Sequence, residues 1–217
     1  MNLEASGEGS LTVEIIIEEV LSKEDEAAMW EIRREVFERE LGIRLAPDEA
    51  ERDGQLSHLI ARVYPGGQAV GTLSVADTSG DTCLHADHNL GFEPGTRAAR
   101  FTHLAVSKLF RGRNVPVLMM LEAHRRFVAP LPYDFTWLLF DAGRAHTSFL
   151  SRLLGFIPKA DIYVSEYGRR CPLVRDERTE EAARAMRLAG QSFGQSPALR
   201  ASAATAGAAG AGYASSV

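Results

Sequence analysis

Apolar and polar positions change their spacing several times along the chain, and each change marks a new element. A β-branched, partly alternating run opens the pattern and predicts a strand. Apolar residues then recur at helical spacing from Met29 to Leu41, with Ser22 suited to the N-cap and Gly42 to the C′ position. The elements predicted up to residue 98 are a strand over 11–17, this helix, an irregular acidic segment over 44–56, a hairpin of strands 57–64 and 68–76 that turns at Pro65-Gly66-Gly67, and a polar loop over 77–98.

The second half of the chain continues with the same two kinds of pattern. Asn114 is suited to cap a helix in which Pro116 is tolerated, because it falls in the first turn. Residues 135–140 are apolar without alternation, which predicts a strand buried on both faces. The remaining predicted elements are a strand over 100–106, a short basic connection over 107–113, helices over 115–127 and 144–154, strands over 162–167 and 171–174, and a last helix capped by Thr179 and ending near residue 188.

This order of elements predicts the fold class. The predicted order is β α ββ β α β α β β α, in which helices stand between the strands. We therefore expect an α/β (α+β) fold, with a central mixed sheet of about six to seven strands covered by helices on both faces.

Composition limits how much of the chain belongs to that fold. The chain has 217 residues, of which 45% are hydrophobic and 24% charged, as in a single globular domain. Residues 197–217 contain nine alanines, three glycines and three serines, which bury too little apolar surface to order the chain. We expect one domain over 11–192, a flexible segment over 1–10, and a disordered tail over 193–217.

Charge and cysteine usage exclude several classes of function. The net charge of −5 provides no broad basic face for nucleic acid, and no apolar run approaches the roughly 20 residues of a membrane helix. Cys83 and Cys171 form neither a disulfide framework nor a CxxC pair, so we expect a cytoplasmic protein. The His85-x-x-His88 pair stands in a predicted loop with no evident third ligand, so no metal site is predicted.

The segment with the clearest chemistry is the basic connection before the second long helix. Arg111 and Arg113 flank Gly112 directly before a predicted helix N-terminus, which offers unpaired N–H groups and the positive end of the helix dipole. This combination suits a phosphate or pyrophosphate. An ordinary strand–helix turn with solvated arginines explains the same residues equally well.

Five short motifs occur in a fixed order: Arg33 to Phe37 with Leu41-Gly42-Ile43, Asp53 to His58, Val70-Gly71-Thr72-Leu73, Leu104-Ala105-Val106 with Arg111-Gly112, and Leu154-Gly155-Phe156. Together they resemble the GCN5-related N-acetyltransferase (GNAT) superfamily over about residues 11–175. That resemblance implies an acyl thioester donor, with an oxyanion N–H donor near Val106. It also implies that the donor is bound by Leu104, Ala105, Val106, Arg111, Gly112, Arg113 and Asn114.

A narrower resemblance begins at His146. The segment from His146 through Phe149 and Arg152 to Phe156 is similar to a motif of bacterial N-acyl amino acid synthases, which are akin to acyl-homoserine-lactone (autoinducer) synthases. Arg33 and Phe37 fit the Arg-x-x-x-Phe pair of that group. This resemblance implies an acyl carrier protein as the donor's carrier.

The chain also departs from both groups. Asn114 and Pro116 stand where the acetyltransferase loop has a glycine and a small residue, and proline has no N–H to donate to a pyrophosphate. Leu150 or Ser151 replaces the tyrosine that many members use as general acid, and Ser74 stands where the synthases have an arginine.

An amine acceptor needs a base, and three residues are candidates: His103, Asp141 and His146. Each has a structural alternative, as a half-buried strand residue, a helix cap and a packing residue, respectively. On the acceptor side the candidates are Arg33, Phe37, Asp53 and His58; Arg33 is equally explained as a solvated helical charge, and Asp53 and His58 as turn and strand-start residues.

The sequence therefore predicts an N-acyltransferase that moves an acyl group from acyl-CoA or an acyl carrier protein to the amine of a small, amino-acid-like acceptor. The donor is a co-substrate, and no permanently bound cofactor is expected. Two alternatives remain open: a long-chain N-acyl amino acid synthase that uses acyl carrier protein, and a GNAT-fold binding protein without catalytic activity. Acyl carrier protein and a second copy of the chain are possible partners.

Overall fold

An eight-stranded mixed sheet runs through the described part of the protein. The structure is a computed structural model, which describes residues 14–45, 56–142, 153–159, 163–165 and 168–194. Its strands are β1 (Glu14–Glu19), β2 (Ser57–Tyr64), β3 (Ala69–Asp77), β4 (Ala98–Val106), β5 (Phe135–Asp141), β6 (Ile157–Pro158), β7 (Tyr163–Ser165) and β8 (Gly168–Asp176).

The strands follow the order β1-β2-β3-β4-β5-β8-β6, and β7 pairs with β8. Every pair is antiparallel except β4 and β5, which run parallel at the centre. The predicted mixed sheet is confirmed. It has one strand more than the seven predicted, because the two-residue β6, which was not predicted, also pairs with β8.

Within the described residues, four α-helices accompany the sheet: α1 (Lys23–Arg33), α2 (Thr82–Asp87), α3 (Val115–Ala123) and α4 (Glu180–Gly194). Two of them continue as π-helical segments, α1 into Arg34–Glu40 and α3 into His124–Val128. Two of the helix N-caps predicted from the sequence are confirmed. Ser22 Oγ accepts from the Asp25 N–H at 3.0 Å, and Thr179 Oγ1 accepts from the Ala182 N–H at 3.2 Å.

Two local predictions were wrong. The segment over 77–98 is not all loop, because Asp81 caps α2 by accepting from the Leu84 N–H at 2.9 Å. Asn114 does precede α3, but its backbone is left-handed (φ +62°) and its side chain makes no capping hydrogen bond. Most of the predicted helix over 144–154 lies outside the described residues; Gly155 follows it with φ +73°.

Helices cover both faces of the sheet, as predicted. On one face, α3 and α4 pack over the largest hydrophobic cluster, which includes Phe101, Met119 and Phe156. On the other face, Ile32 and Val36 pack against Ala105 of β4. The same face carries a third cluster beside α2, formed by Leu90, Ala98, Trp137 and Val174. The central strands β4 and β5 are thus enclosed from both sides.

A buried charge cluster attaches β8 to the Leu154-Gly155-Phe156 segment. Arg175 is 1% exposed, donates to the Leu154 carbonyl oxygen at 3.3 Å and lies over the Phe156 ring at 5.1 Å. Its counter-charge is Glu177, whose Oε1 accepts from the Arg175 Nη2 at 2.6 Å. Glu177 also bonds Thr136 and His124, so the pair bridges β5, β8 and the end of α3. In the sequence, Arg175 only follows a short apolar run of β8, which gave no signal for this network.

Candidate active site

The central parallel pair separates partway along its length. Pairing between β4 and β5 runs from Ala98 opposite Phe135 to Phe101 opposite Leu138. Beyond that point β4 continues to Val106 and β5 to Asp141, without further pairing between these two strands. The two strands therefore border an opening in the sheet, at which their inner edges present backbone groups.

A β-bulge in β4 produces this separation. Thr72 pairs with Ala105 and Ser74 with Thr102, so the single residue Leu73 faces two residues of β4. One of the two is His103, whose φ of +51° is left-handed and rare for a residue other than glycine. A bulge bends its strand away from a neighbour, which is the observed effect on β4.

The backbone of Val106 faces the opening. The next N–H, that of Ser107, bonds the Val70 carbonyl oxygen of β3 at 2.9 Å. Successive residues of a strand direct their N–H groups to opposite edges, so the Val106 N–H points away from β3, toward the β5 side. The Val106 carbonyl oxygen points the same way and accepts from Arg111 Nε at 2.8 Å. The predicted oxyanion donor thus has the required direction.

The loop after β4 is attached to the π-helical end of α1. Arg111 Nη2 forms an ion pair with Glu40 Oε2 at 2.6 Å, while its Nε bonds Val106. Ser107 Oγ donates to Glu35, with 3.3 Å to Oε2. Neither glutamate was predicted to contact this loop, since both lie in a helical stretch with five charged residues among seven, Arg34–Glu40. Two carboxylates of one helix therefore position the loop.

The N-terminus of α3 lies directly after this loop and has several open N–H groups. Within the described chain, the N–H groups of Gly112, Asn114, Val115 and Val117 have no acceptor, and Pro116 has none to offer. Gly112 (φ +86°) and Asn114 are both left-handed, which turns the backbone around the start of the helix. Unpaired N–H groups at a helix start suit an anion.

The side chains of the loop are mostly exposed. Lys108 and Arg113 are exposed, and Arg113 lies over the Phe110 ring at 5.5 Å. Leu109, between these residues, is 82% exposed. Leu104 is also exposed, whereas the Ala105 side chain is buried against α1. The side chains of Leu104 and Ala105 therefore lie in different surroundings. Both residues can contribute to the opening only through their backbone groups.

The candidate bases border the opening from two sides. His103 is half-buried at the bulge of β4, and Asp141 is half-buried at the end of β5, in register with Arg170 of β8. His146 lies outside the described residues. The structure thus places two of the three candidates on the strands that separate, and each stays a prediction as a base.

On the α1 face, two of the acceptor-side candidates come together. Arg33 Nη2 is 3.3 Å from His58 Nδ1, and both side chains contact the buried Ser74 hydroxyl. Arg33 is fully buried, so its interpretation as a solvated charge is wrong. Phe37 packs against the Ile32–Val36–Ala105 cluster. Asp53, the fourth candidate, lies outside the described residues.

The His85-x-x-His88 pair has a packing role. His85 is buried, with its ring edge-on to Phe92 and to Trp137, and the His88 ring lies 5.2 Å from that of Trp137. Burial lowers the pKa of both imidazoles, and Arg100 lowers that of His88 further. Among the described residues, no group of three or more His, Cys, Asp and Glu side chains is arranged to hold a metal ion.

This geometry defines a class of fold. A mixed sheet that opens between two parallel central strands, with a loop and a helix N-terminus at the opening, is the fold of the GNAT acyltransferases, as the sequence motifs predicted. Among the described helices, none is both long and apolar enough to cross a bilayer.

Known structures support that assignment of the fold. The N-acyl amino acid synthase FeeM from uncultured soil microbes superposes with a TM-score of 0.61 at 14% identity, covering 76% of this chain and 92% of that chain. A putative N-acetyltransferase from Lactobacillus plantarum gives 0.58 at 17% identity, covering 75% and 98%. Arabidopsis thaliana NAA60 in complex with acetyl-CoA gives 0.57 at 11% identity, covering 75% and 99%. No protein-family profile and no curated protein sequence matches the chain.

Proposed function

We propose that this protein is an N-acyltransferase that moves an acyl group from a thioester to the amine of a small, amino-acid-like acceptor. The observation that carries the proposal is the opening between β4 and β5, toward which the Val106 N–H points. A thioester carbonyl in this opening would meet a fixed N–H donor. The fold, which this chain shares with acetyltransferases and with an N-acyl amino acid synthase, is consistent with that chemistry.

The reaction has three requirements. The amine, after loss of its proton, attacks the thioester carbonyl carbon, and the Val106 N–H stabilises the negative charge on the carbonyl oxygen. The tetrahedral intermediate then breaks its carbon–sulfur bond, which releases the donor as a thiolate that takes up a proton. His103 and Asp141 are the described residues at the opening that we propose for the proton transfers, together with His146.

The donor's phosphate groups would lie at the start of α3. The open N–H groups of Gly112, Asn114, Val115 and Val117 provide donors for an anion, and Arg113 adds positive charge at the surface. Arg111 contributes differently, because its guanidinium is engaged by Glu40 and by the Val106 carbonyl. We propose that it holds the loop against the strand end.

Calorimetry with acetyl-CoA tests the donor, and mass spectrometry of amino acids incubated with protein and acyl donors tests the reaction. We expect binding at millimolar or lower acetyl-CoA and an added acyl mass on at least one α-amino acid. If a donor binds but every amine returns unmodified, the protein is a binding protein with this fold, and the proposed function is wrong.

A carrier-protein donor is the second candidate, and the surface of the loop favours it. Leu109 is 82% exposed between Lys108 and Arg111, and an exposed apolar residue within basic surroundings suits an acidic protein partner. The missing N–H of Pro116 removes one donor for a pyrophosphate. Titration with acyl carrier protein and with acetyl-CoA separates the candidates: binding of the carrier protein alone selects the N-acyl amino acid synthase reaction.

A further inference from the structure

The π-helical end of α1 directs two carboxylates toward the loop after β4. Glu40 Oε2 lies 2.6 Å from Arg111 Nη2, and Glu35 Oε2 accepts from Ser107 Oγ at 3.3 Å. In an α-helix, side chains five positions apart point about 140° away from each other, because each residue turns the helix by about 100°. The i→i+5 hydrogen bonds of a π-helix bring such residues closer to one line. The π-helical geometry therefore allows both carboxylates to reach the same loop.

Arg111 differs from the other basic residues of this loop because it has a carboxylate partner. Its Nε bonds the Val106 carbonyl oxygen at 2.8 Å, and its Nη2 meets Glu40, whose side chain is 24% exposed. Lys108 and Arg113 are exposed and form no ion pair within the described residues. Glu40 therefore offsets the charge of Arg111 at the loop that we propose for the phosphates of the donor.

A carboxylate at this loop discriminates among donors by the negative charge that they carry. Coenzyme A has a pyrophosphate and a further phosphate on its ribose, whereas a pantetheine arm on a carrier protein has one phosphodiester. Repulsion is a common means by which a site rejects a competitor that it would otherwise bind. It acts on charges within about 8 Å, the screening length at physiological ionic strength. Glu40 thus opposes a multiply charged donor more strongly than a singly charged one.

We propose that Glu40 is a specificity-determining residue that favours acyl donors with a single phosphodiester over donors with several phosphate charges. The inference rests on the proposed acyl transfer, because it requires the thioester donor to bind at this loop. A purely anchoring role for Glu40 has a different consequence. Removal of an anchor weakens every donor or leaves all of them unchanged, whereas removal of a repelling charge strengthens the binding of highly charged donors alone.

The variant Glu40→Gln separates the charge from the bond, because an amide oxygen can still accept from Arg111. Isothermal titration of the full chain compares acetyl-CoA, acetyl-4′-phosphopantetheine and acetyl-pantetheine, which carry several phosphate groups, one and none. We expect Glu40→Gln to bind acetyl-CoA about three- to tenfold more tightly, as befits one surface charge, with a smaller gain for acetyl-4′-phosphopantetheine and no change for acetyl-pantetheine. At about 1 M salt, where the screening length falls to about 3 Å, the gain should disappear.

Glu38→Gln is the matched control. Glu38 is an exposed carboxylate of the same π-helical segment, and its Oε1 accepts from the Leu45 N–H at 3.4 Å rather than from the loop after β4. This variant changes the net charge of the chain by the same amount. We expect its affinity for acetyl-CoA to match that of the parent. A gain equal to that of Glu40→Gln would show that the overall charge selects the donor, which overturns the role of Glu40.

The remaining outcomes distinguish failure of this inference from failure of the proposed function. An unchanged or weaker affinity for acetyl-CoA in Glu40→Gln overturns the charge selection, and so does an equal gain for acetyl-pantetheine. In both cases the thioesters still bind, so the proposed donor site stands. If none of the three thioesters binds to the parent or to Glu40→Gln, the donor site itself is wrong, and the proposed function and the selection by Glu40 fail together.

Discussion

Arg111 Nε donates to the carbonyl oxygen of Val106 at 2.8 Å, and this bond joins the loop before α3 to the strand end that carries the proposed oxyanion donor. The same guanidinium pairs with Glu40 at the end of the first helical segment. One side chain thus holds together its own loop, the end of β4 five residues earlier and the distant end of the first helical segment. The relationship gives Arg111 a structural role at the site beyond its positive charge.

Replacement of Arg111 tests that role. We expect Arg111→Ala to weaken binding of the acyl donor by more than tenfold, which corresponds to about 1.4 kcal/mol or more, because the loop and the Val106 peptide lose their common anchor. Isothermal titration with the donor measures the effect. Arg39→Ala is the matched control. Arg39 is an exposed arginine in the π-helical segment that carries Glu40, and it pairs with Glu31. An unchanged dissociation constant in Arg111→Ala would remove Arg111 from the site.

Gly71 is expected to be intolerant of a side chain. A Cβ at this position would lie 3.1 Å from Met119 Sδ and 3.4 Å from both the Ala105 oxygen and Val106 Cγ2. We expect Gly71→Ala to destabilise the protein by about 1–3 kcal/mol and to weaken donor binding, because the strand end at Val106 must shift. Met119→Leu in the same chain should recover part of both losses. Wild-type stability and affinity in Gly71→Ala would contradict this packing.

Comparing alanine substitutions at Gly155 and Gly42 measures how much one close contact with α4 costs in stability. Both are left-handed, with φ of +73° and +68°, but a Cβ on Gly42 would meet nothing, whereas one on Gly155 would lie 3.3 Å from Ala185 Cβ. Alanine at either position costs about 1–2 kcal/mol for the backbone conformation. We expect Gly155→Ala to cost more than Gly42→Ala in urea unfolding, by the energy of the clash with α4. Equal costs would show that α4 accommodates the methyl group.

Acid should weaken the buried cluster around Glu177. Burial alone would raise the pKa of Glu177, but hydrogen bonds from His124, Thr136 and Arg175 and the charge of Arg175 lower it below its usual value. A carboxyl with a lowered pKa in the folded state stabilises the fold above its unfolded pKa of about 4.3, and this stabilisation is lost as the pH falls through the folded pKa. We expect thermal stability to fall below about pH 4.3.

The variant Glu177→Gln isolates that contribution. It leaves the buried Arg175 without its counter-charge, so we expect a loss of about 3–5 kcal/mol at pH 7 and a smaller further loss in acid. Calorimetric melting at pH 7 and below pH 4.3 measures both, with Glu93→Gln as a control at an exposed carboxylate. A variant that loses stability in acid as steeply as the parent would exclude Glu177 as a source of the acid sensitivity.

Local signals predicted most elements of the fold. The capping serine at Ser22, the turn at Pro65-Gly66-Gly67 and the cap at Thr179 depend on neighbours a few residues away, and the structure confirms the elements they delimit. The helix over Thr82–Asp87 was missed because its six residues are too few to establish an apolar period. The candidates Arg33 and His58 were named separately, and nothing in their spacing of 25 residues indicated that they touch.

The sequence by itself determined the order of the elements, the ends of several helices and the resemblance to acyltransferases, because periodicity, capping residues and short motifs act over a few positions. Tertiary structure decided the rest. The bulge at His103 has no glycine to mark it, and only the register of β4 against β3 and the end of its pairing with β5 reveal it. Burial of Arg33 and its bond to Ser74 likewise depend on how α1 packs across strands that are more than twenty residues away in the chain.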